Sequence, residues 1–178
     1  MSKIEHSVDV DVPVREAYDQ WTQFEEFPRF MEGVEAVRQL DDTHLQWTAK
    51  VAGRTKEWRA EVTEQRPDER VAWKAESGTE NAGVVTFHKL DEGRCRVAVQ
   101  IDAEPEGIVE KAGDALGVVE RRVKADLERF REFIEGRGQS TGAWRGRVEG
   151  GTVEDDDAST AGPGSNLTGT GTAAGTGQ

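Results

Sequence analysis

The chain has 178 residues, with 23 Lys and Arg against 35 Asp and Glu and a formal net charge of −12 at pH 7. That length suits one domain with a substantial core, and the acidic balance argues against a nucleic-acid backbone as partner, since phosphate binding needs a basic face. The single cysteine, Cys95, excludes an intrachain disulfide and points to a reducing compartment.

No basic region followed by an apolar run opens the chain, and no window approaches the roughly 18 apolar residues of a membrane span. A cytoplasmic protein is therefore expected. Ile4, His6, Val8, Val10 and Val12 alternate with polar residues, the period of a strand with one buried face. Pro13 suits a first helical turn, and Val14, Ala17, Tyr18 and Trp21 repeat at helical spacing. A second short helical piece runs from Phe24 to Met31, broken by Pro28 and closed by Gly33.

From Val34 the period becomes two. Val34 to Leu40 forms one strand; Leu45, Trp47, Ala49 and Val51 alternate in the next. Gly53 turns the chain into Trp58, Ala60 and Val62, and Pro67-Asp68 turns it into Val71, Trp73 and Ala75. Gly83, Val85 and Phe87 follow a polar loop, then Asp91-Glu92-Gly93 leads to Cys95, Val97, Val99 and Ile101. Strands joined by such short turns are antiparallel.

Gly107 to Gly136 carries Ile108, Ala112, Ala115, Leu116, Val119, Val123, Leu127, Phe130 and Ile134 in steps of three and four, the stripe of one long helix. One face of each strand is polar, so the sheet is covered on one side, and only this helix is large enough to cover it. The fold class is α+β: a curved antiparallel sheet of about seven strands around a C-terminal helix, with two short helices after strand one. The folded core spans about 3–136 within a domain of 1–146. Residues 147–178 are rich in Gly and Thr around the acidic run Glu154 to Asp157, and are expected to be a disordered tail whose removal leaves thermal stability nearly unchanged.

This element order, with Asp11-Val12-Pro13, the segment Trp21…Phe24-Glu25-Glu26-Phe27-Pro28-Arg29-Phe30-Met31, and Gly83-Val84-Val85-Thr86-Phe87, resembles the START-like (helix-grip, SRPBCC) superfamily. Within it, the chain is similar to the polyketide cyclase/dehydrase group, which also holds coenzyme-Q-binding START-domain proteins. The resemblance covers about Lys3 to Gly136. It implies a deep cavity between sheet and helix holding a hydrophobic ligand, and its members include enzymes and lipid carriers, so it leaves the activity open.

Trp47, Trp58 and Trp73 share the inward parity of successive strands with Val85, Phe87 and Val99, and large rings there could line a pocket for a flat ligand. From the helix, Gly113, Leu116, Gly117 and Val119 face the same space. The two glycines each cost about 1 kcal/mol relative to alanine, which a cavity or a close approach of the sheet would offset. Phe27, Phe30 and Met31 are candidates for an entrance that could touch a membrane surface transiently. For acid–base chemistry only His6, Tyr18 and Ser77 can be named, none paired with a second group in sequence. His44 and His88 fall on the outward parity, Cys95 reads as a small hydrophobe, and no metal-ligand spacing occurs. No cofactor is implied, and Asn166-Leu167-Thr168 is a chance match to a glycosylation acceptor.

Inward aromatics without a catalytic constellation favour binding of a hydrophobic small molecule such as a lipid, quinone or polyketide. The alternative is a polyketide aromatase/cyclase, which needs paired acid–base groups around a poly-keto chain; the chain's acidity disfavours docking of an acidic carrier protein. A third reading is a non-catalytic interaction module acting through the acidic tail and Trp144.

Overall fold

The chain starts on the sheet edge and closes against its own last long strand. The computed structural model describes residues 2–51, 53–77, 81–103 and 112–154, the side chains of 2, 51, 77, 103 and 112–116 excepted. In chain order these form β1 (Ser2–Val10), helix α1 (Val14–Trp21), a 3-10 helix (Phe24–Arg29), β2 (Val34–Gln39), β3 (His44–Val51), β4 (Arg54–Arg66), β5 (Arg70–Ser77), β6 (Asn81–Asp91), β7 (Arg94–Ala103), helix α2 (Ala112–Arg137), β8 (Arg147–Glu149) and β9 (Thr152–Glu154). The long strands lie in the order β1-β7-β6-β5-β4-β3-β2, antiparallel throughout. An α+β fold of this kind, an open antiparallel sheet with a long C-terminal helix, is what the hydrophobic periodicities predict; part of the expected helix, residues 107–111, lies outside the described residues.

Alternation decides which face is buried. Val10, Val85, Cys95 and Val97 are fully buried, and α2 meets them with Phe130 and Ile134, also fully buried. The same burial pushes the Cys95 thiol up to about 11, so at neutral pH it is a protonated, apolar filler. Gly138 ends α2 at φ +73°, its N–H donating to the Ile134 carbonyl at 2.8 Å, a left-handed position that glycine takes without strain.

The boundary expected at Gly146 needs correction. Residues 147–154 form the β8–β9 hairpin, which adds to the sheet beside β4: Val148 is fully buried opposite Gln65, and Arg66 Nε donates to Glu149 Oε1 at 2.8 Å. Gly150 and Gly151 turn the hairpin at φ +57° and +78°, the two-residue turn in which both central residues have positive φ. Ahead of it, residues 140–145 are lashed across α1. The N–H groups of Ser140, Thr141 and Trp144 donate to Glu16 Oε2, Gln20 Oε1 and Thr22 Oγ1 at 2.8, 2.8 and 3.1 Å. Arg145 completes the strap, bridging Asp19 at 2.6 Å and Asp68 at 2.8 Å. Asp68 itself sits at φ +63° in the β4–β5 turn, a left-handed position that Asp tolerates better than most residues.

Burying one valine side chain is worth roughly 2 kcal/mol, and a protein of this size shifts by about 2–4 °C for each kcal/mol. A chain ending at Gly146 should therefore melt roughly 4–8 °C below one ending at Glu154. Differential scanning calorimetry checks this; equal midpoints would show that the hairpin adds nothing to the core.

Candidate functional site

Between the inner face of the sheet and α2 lies a cavity of about 320 Å³. Its deep end is floored by Trp21, Phe24, Phe27, Leu45, Val62, Val71 and Leu127, all buried. Trp47, Trp58, Trp73, Ile101, Val119 and Val123 line the remainder and are only partly buried. The gradient along single elements shows which end is open: on β4, Lys56 and Trp58 are partly exposed whereas Ala60 and Val62 are 1% exposed.

Pairing register puts the rings together. Trp47 and Trp58 are direct cross-strand partners, and their indoles stack at 5.6 Å between centroids and 7° between planes. Trp73 is the cross-strand partner of Gly83, and its ring covers that residue: a Cβ on Gly83 would lie 2.5 Å from Trp73 Cζ2 and 2.9 Å from the Gln100 carbonyl. Glycine at 83 thus lets the indole lie flat on the sheet and leaves the cavity clear.

The rim where α2 meets β3 and the loop after the 3-10 helix is polar. Arg122 Nη1 donates to the Lys50 carbonyl at 3.1 Å, and Arg129 Nε donates to the Phe30 carbonyl at 3.1 Å. Asp126 accepts from Arg129 Nη2 at 2.7 Å and from the Glu32 N–H at 3.2 Å; burial raises its carboxyl above the usual range against these donors. Lys56, Asn81, Arg122 and Asp126 contribute to the cavity wall. Sequence reasoning missed all four, because a charged or polar residue on an amphipathic helix or near a strand end carries no local mark of what it faces.

Of the wall residues predicted from the sequence, Trp47, Trp58, Trp73, Val99 and Val119 line the cavity. Val85 and Phe87 do not: both are buried in the core, Phe87 edge-on to Tyr18 at 5.4 Å and to Trp21 at 6.4 Å, because α1 crosses the sheet there. Gly117 is also absent from the wall, and no close approach explains it, since a Cβ there would meet nothing within 4 Å. The side chains of Gly113 and Leu116 lie outside the described residues. Of the three residues expected at an entrance, Met31 lines the cavity, Phe27 lies at its buried end, and Phe30 packs into the core against Phe130 at 5.2 Å.

The acid–base candidates are placed elsewhere. Tyr18 is fully buried outside the cavity, with the Arg145 guanidinium 5.6 Å from its ring centre, and burial pushes its hydroxyl up to about 12. His6 is not on the cavity wall; its Nε2 lies 3.4 Å from Glu120 Oε1 on α2. The Ser77 side chain lies outside the described residues. His88 is exposed, and His44 is tied to Asp41 at 2.9 Å on the outer side. Among the described residues no group of three His, Cys, Asp or Glu could hold a metal ion, and no helix is long and apolar enough to cross a membrane.

Comparison with known proteins adds to this geometry. The profile of the family described as polyketide cyclase/dehydrase and lipid transport matches residues 10–132. An uncharacterized 17.2 kDa protein from the melC2–rnhH intergenic region of Streptomyces lincolnensis is 57% identical over 149 residues, covering 83% of this chain and 99% of that one. Among solved structures, the Zhui aromatase/cyclase from Streptomyces sp. R1128 is similar with a TM-score of 0.68 at 19% identity, over 80% of this chain and 99% of that one. A START superfamily protein from Mycobacterium smegmatis gives 0.59 at 13% identity, over 76% and 95%. At these identities the two structures speak for the fold.

Two outcomes follow from the placements. Tyr18 is the chain's one tyrosine, so phenolate absorbance near 295 nm reports on it alone. It should stay protonated at pH 10 and titrate towards 12 while the chain is folded. The folded chain holds that proton more tightly than the unfolded one, so this contribution to stability is full below pH 10 and is lost as pH rises from 10 to about 12. Titration at pH 10 in the native state would contradict the burial. Separately, Gly83→Ala should push the Trp73 indole off the sheet and shift tryptophan emission, with a loss of roughly 1–3 kcal/mol from overpacking; an unchanged spectrum and melt would show the contact to be soft.

Proposed function

The chain belongs to the polyketide cyclase/dehydrase and lipid transport family, and on that premise we propose that it binds a hydrophobic small molecule, a lipid, quinone or polyketide-like compound, between the sheet and α2. The observation that carries this reading is the cavity itself. About 320 Å³ of space is walled by four tryptophans, two phenylalanines and a ring of aliphatic side chains. An apolar pocket with a few polar groups at one end is the usual form of a small-molecule site. The stacked Trp47–Trp58 pair offers a planar wall, which suits a flat or ring-bearing ligand.

Cyclisation chemistry has less support in this wall. The one carboxyl among the described wall residues, Asp126, is engaged by Arg129 and the Glu32 N–H, which makes it a pin between helix and loop. An interaction module built on Trp144 also loses ground. That residue's N–H is bonded to Thr22, and its indole packs against Gly146, where a Cβ would collide with it. With its one cysteine buried as a thiol, the cytoplasm remains the proposed place of action.

Tryptophan-quenching titration with a naphthoquinone, followed by native mass spectrometry, tests the reading. Saturable quenching at one ligand per chain is expected, and Val119→Phe, which adds a ring on the wall, should weaken it by about tenfold or more (roughly 1.4 kcal/mol) while preserving the circular dichroism spectrum. Linear, non-saturating quenching by naphthoquinones and fatty acids alike would refute binding in this cavity.

A further inference from the structure

α2 brings a carboxylate into the hydrophobic space, and its hydrogen bonds use only one of the two oxygens. Asp126 lies on the helix face that carries Val119, Val123 and Leu127, all of which line the cavity. Its side chain keeps 15% of its surface exposed. Oδ1 accepts from Arg129 Nη2 at 2.7 Å and from the Glu32 N–H at 3.2 Å. Among the described residues nothing donates to Oδ2.

A carboxylate offers about four acceptor positions, two on each oxygen. The surroundings meet the charge of Asp126 without filling those on Oδ2. Its close ion pair is with Arg129, and Arg122, one turn back, attracts it from farther away while placing Nη1 on the Lys50 carbonyl at 3.1 Å. Lys56 and Asn81, the other polar residues of the wall, have partners of their own. Burial is the leading influence on Asp126, and a partly desolvated carboxylate gains more from a further donor than one in water. With its charge already answered, Oδ2 is complemented by a neutral O–H.

We infer that Asp126 is a specificity-determining residue of the cavity: it selects a neutral, hydroxyl-bearing ring compound whose O–H donates to Oδ2 while the ring lies along the tryptophans. This rests on the binding reading above and narrows the ligand class by one functional group. A hydrogen bond to a carboxylate is among the stronger ones, and a ligand of the same shape without the donor covers Oδ2 and leaves it unpaired. One oxygen in an apolar wall thus separates a hydroxylated compound from its ether.

The test compares 2-naphthol with its methyl ether, 2-methoxynaphthalene, by tryptophan quenching at pH 7 on the full chain. Both probes are neutral there, and only the naphthol can donate. The naphthol should bind about tenfold tighter than the ether. In Asp126→Asn the amide oxygen can keep the bonds from Arg129 and the Glu32 N–H, which turns the NH2 toward the cavity. The ratio should then fall to within about threefold by weakening the naphthol, while ether affinity reports that the cavity is intact. Emission of the bound naphthol gives a second readout, since beside a carboxylate the excited O–H passes its proton across and the probe emits as naphtholate. The natural chain should show that band, and if Asp126→Asn fails to fold by circular dichroism, the band alone decides. Equal binding of naphthol and ether, a ratio unchanged in Asp126→Asn, or no naphtholate band overturns the proposal and leaves the hydrophobic-ligand reading standing. Binding of neither probe overturns both.

Discussion

Trp21 is the side chain through which the helices and the sheet hold one another. Its indole lies 5.2 Å from Phe27 of the 3-10 helix, 5.3 Å from Phe130 of α2 and 6.4 Å from both Phe30 and Phe87 of β6, so four separate segments meet at one ring. Aromatic pairs in tilted and edge-on geometry add to plain burial, and they fix orientation as well as distance. The cluster fills the space under α2 at one end of the sheet. Because Trp21 also floors the cavity, the packing that closes one end leaves the other end open.

That open end is lined by elements with different duties. The strands supply flat apolar surface, with Trp58 stacked on Trp47 and Trp73 laid over Gly83. α2 supplies charge. Arg122 and Arg129 each bond to a backbone carbonyl of the facing segment, at Lys50 and at Phe30. Charged residues one or two turns apart thus hold the rim of a site whose body is hydrophobic. Such rim bonds, partly exposed, add more to position than to stability.

The far side of α1 is governed by polar satisfaction. Asp19, Gln20 and Thr22 are all buried, which would be costly without partners. Arg145, Thr141 and Trp144 supply them from the segment after α2. This strap seals Tyr18 beneath it and removes that hydroxyl from reach of the cavity. A residue that looks reactive by type is made inert by its cover.

Much of the architecture was legible in the chain. Alternation in β1 and in β3 to β7 fixed strand faces, and the three-and-four stripe of α2 named the helix that covers them, because periodicity reports directly which side of an element leaves water. The tryptophans at 47, 58 and 73 could be read as inward-facing for the same reason. Even the β8–β9 hairpin had a signal in Val148-Glu149-Gly150-Gly151-Thr152-Val153, two alternating arms about a Gly-Gly turn, hidden by the glycine-rich composition around it. Parity could not say where along the sheet the space lies. Val85 and Phe87 share the parity of Trp73 but fall under α1, and only packing separates core from cavity. Nor could it reveal that Arg122 reaches the Lys50 carbonyl, since that bond depends on how α2 lies across β3. The sequence by itself determined which residues leave water; the tertiary structure alone decided which of them meet one another and which face an empty space, because that depends on contacts between residues far apart in the chain.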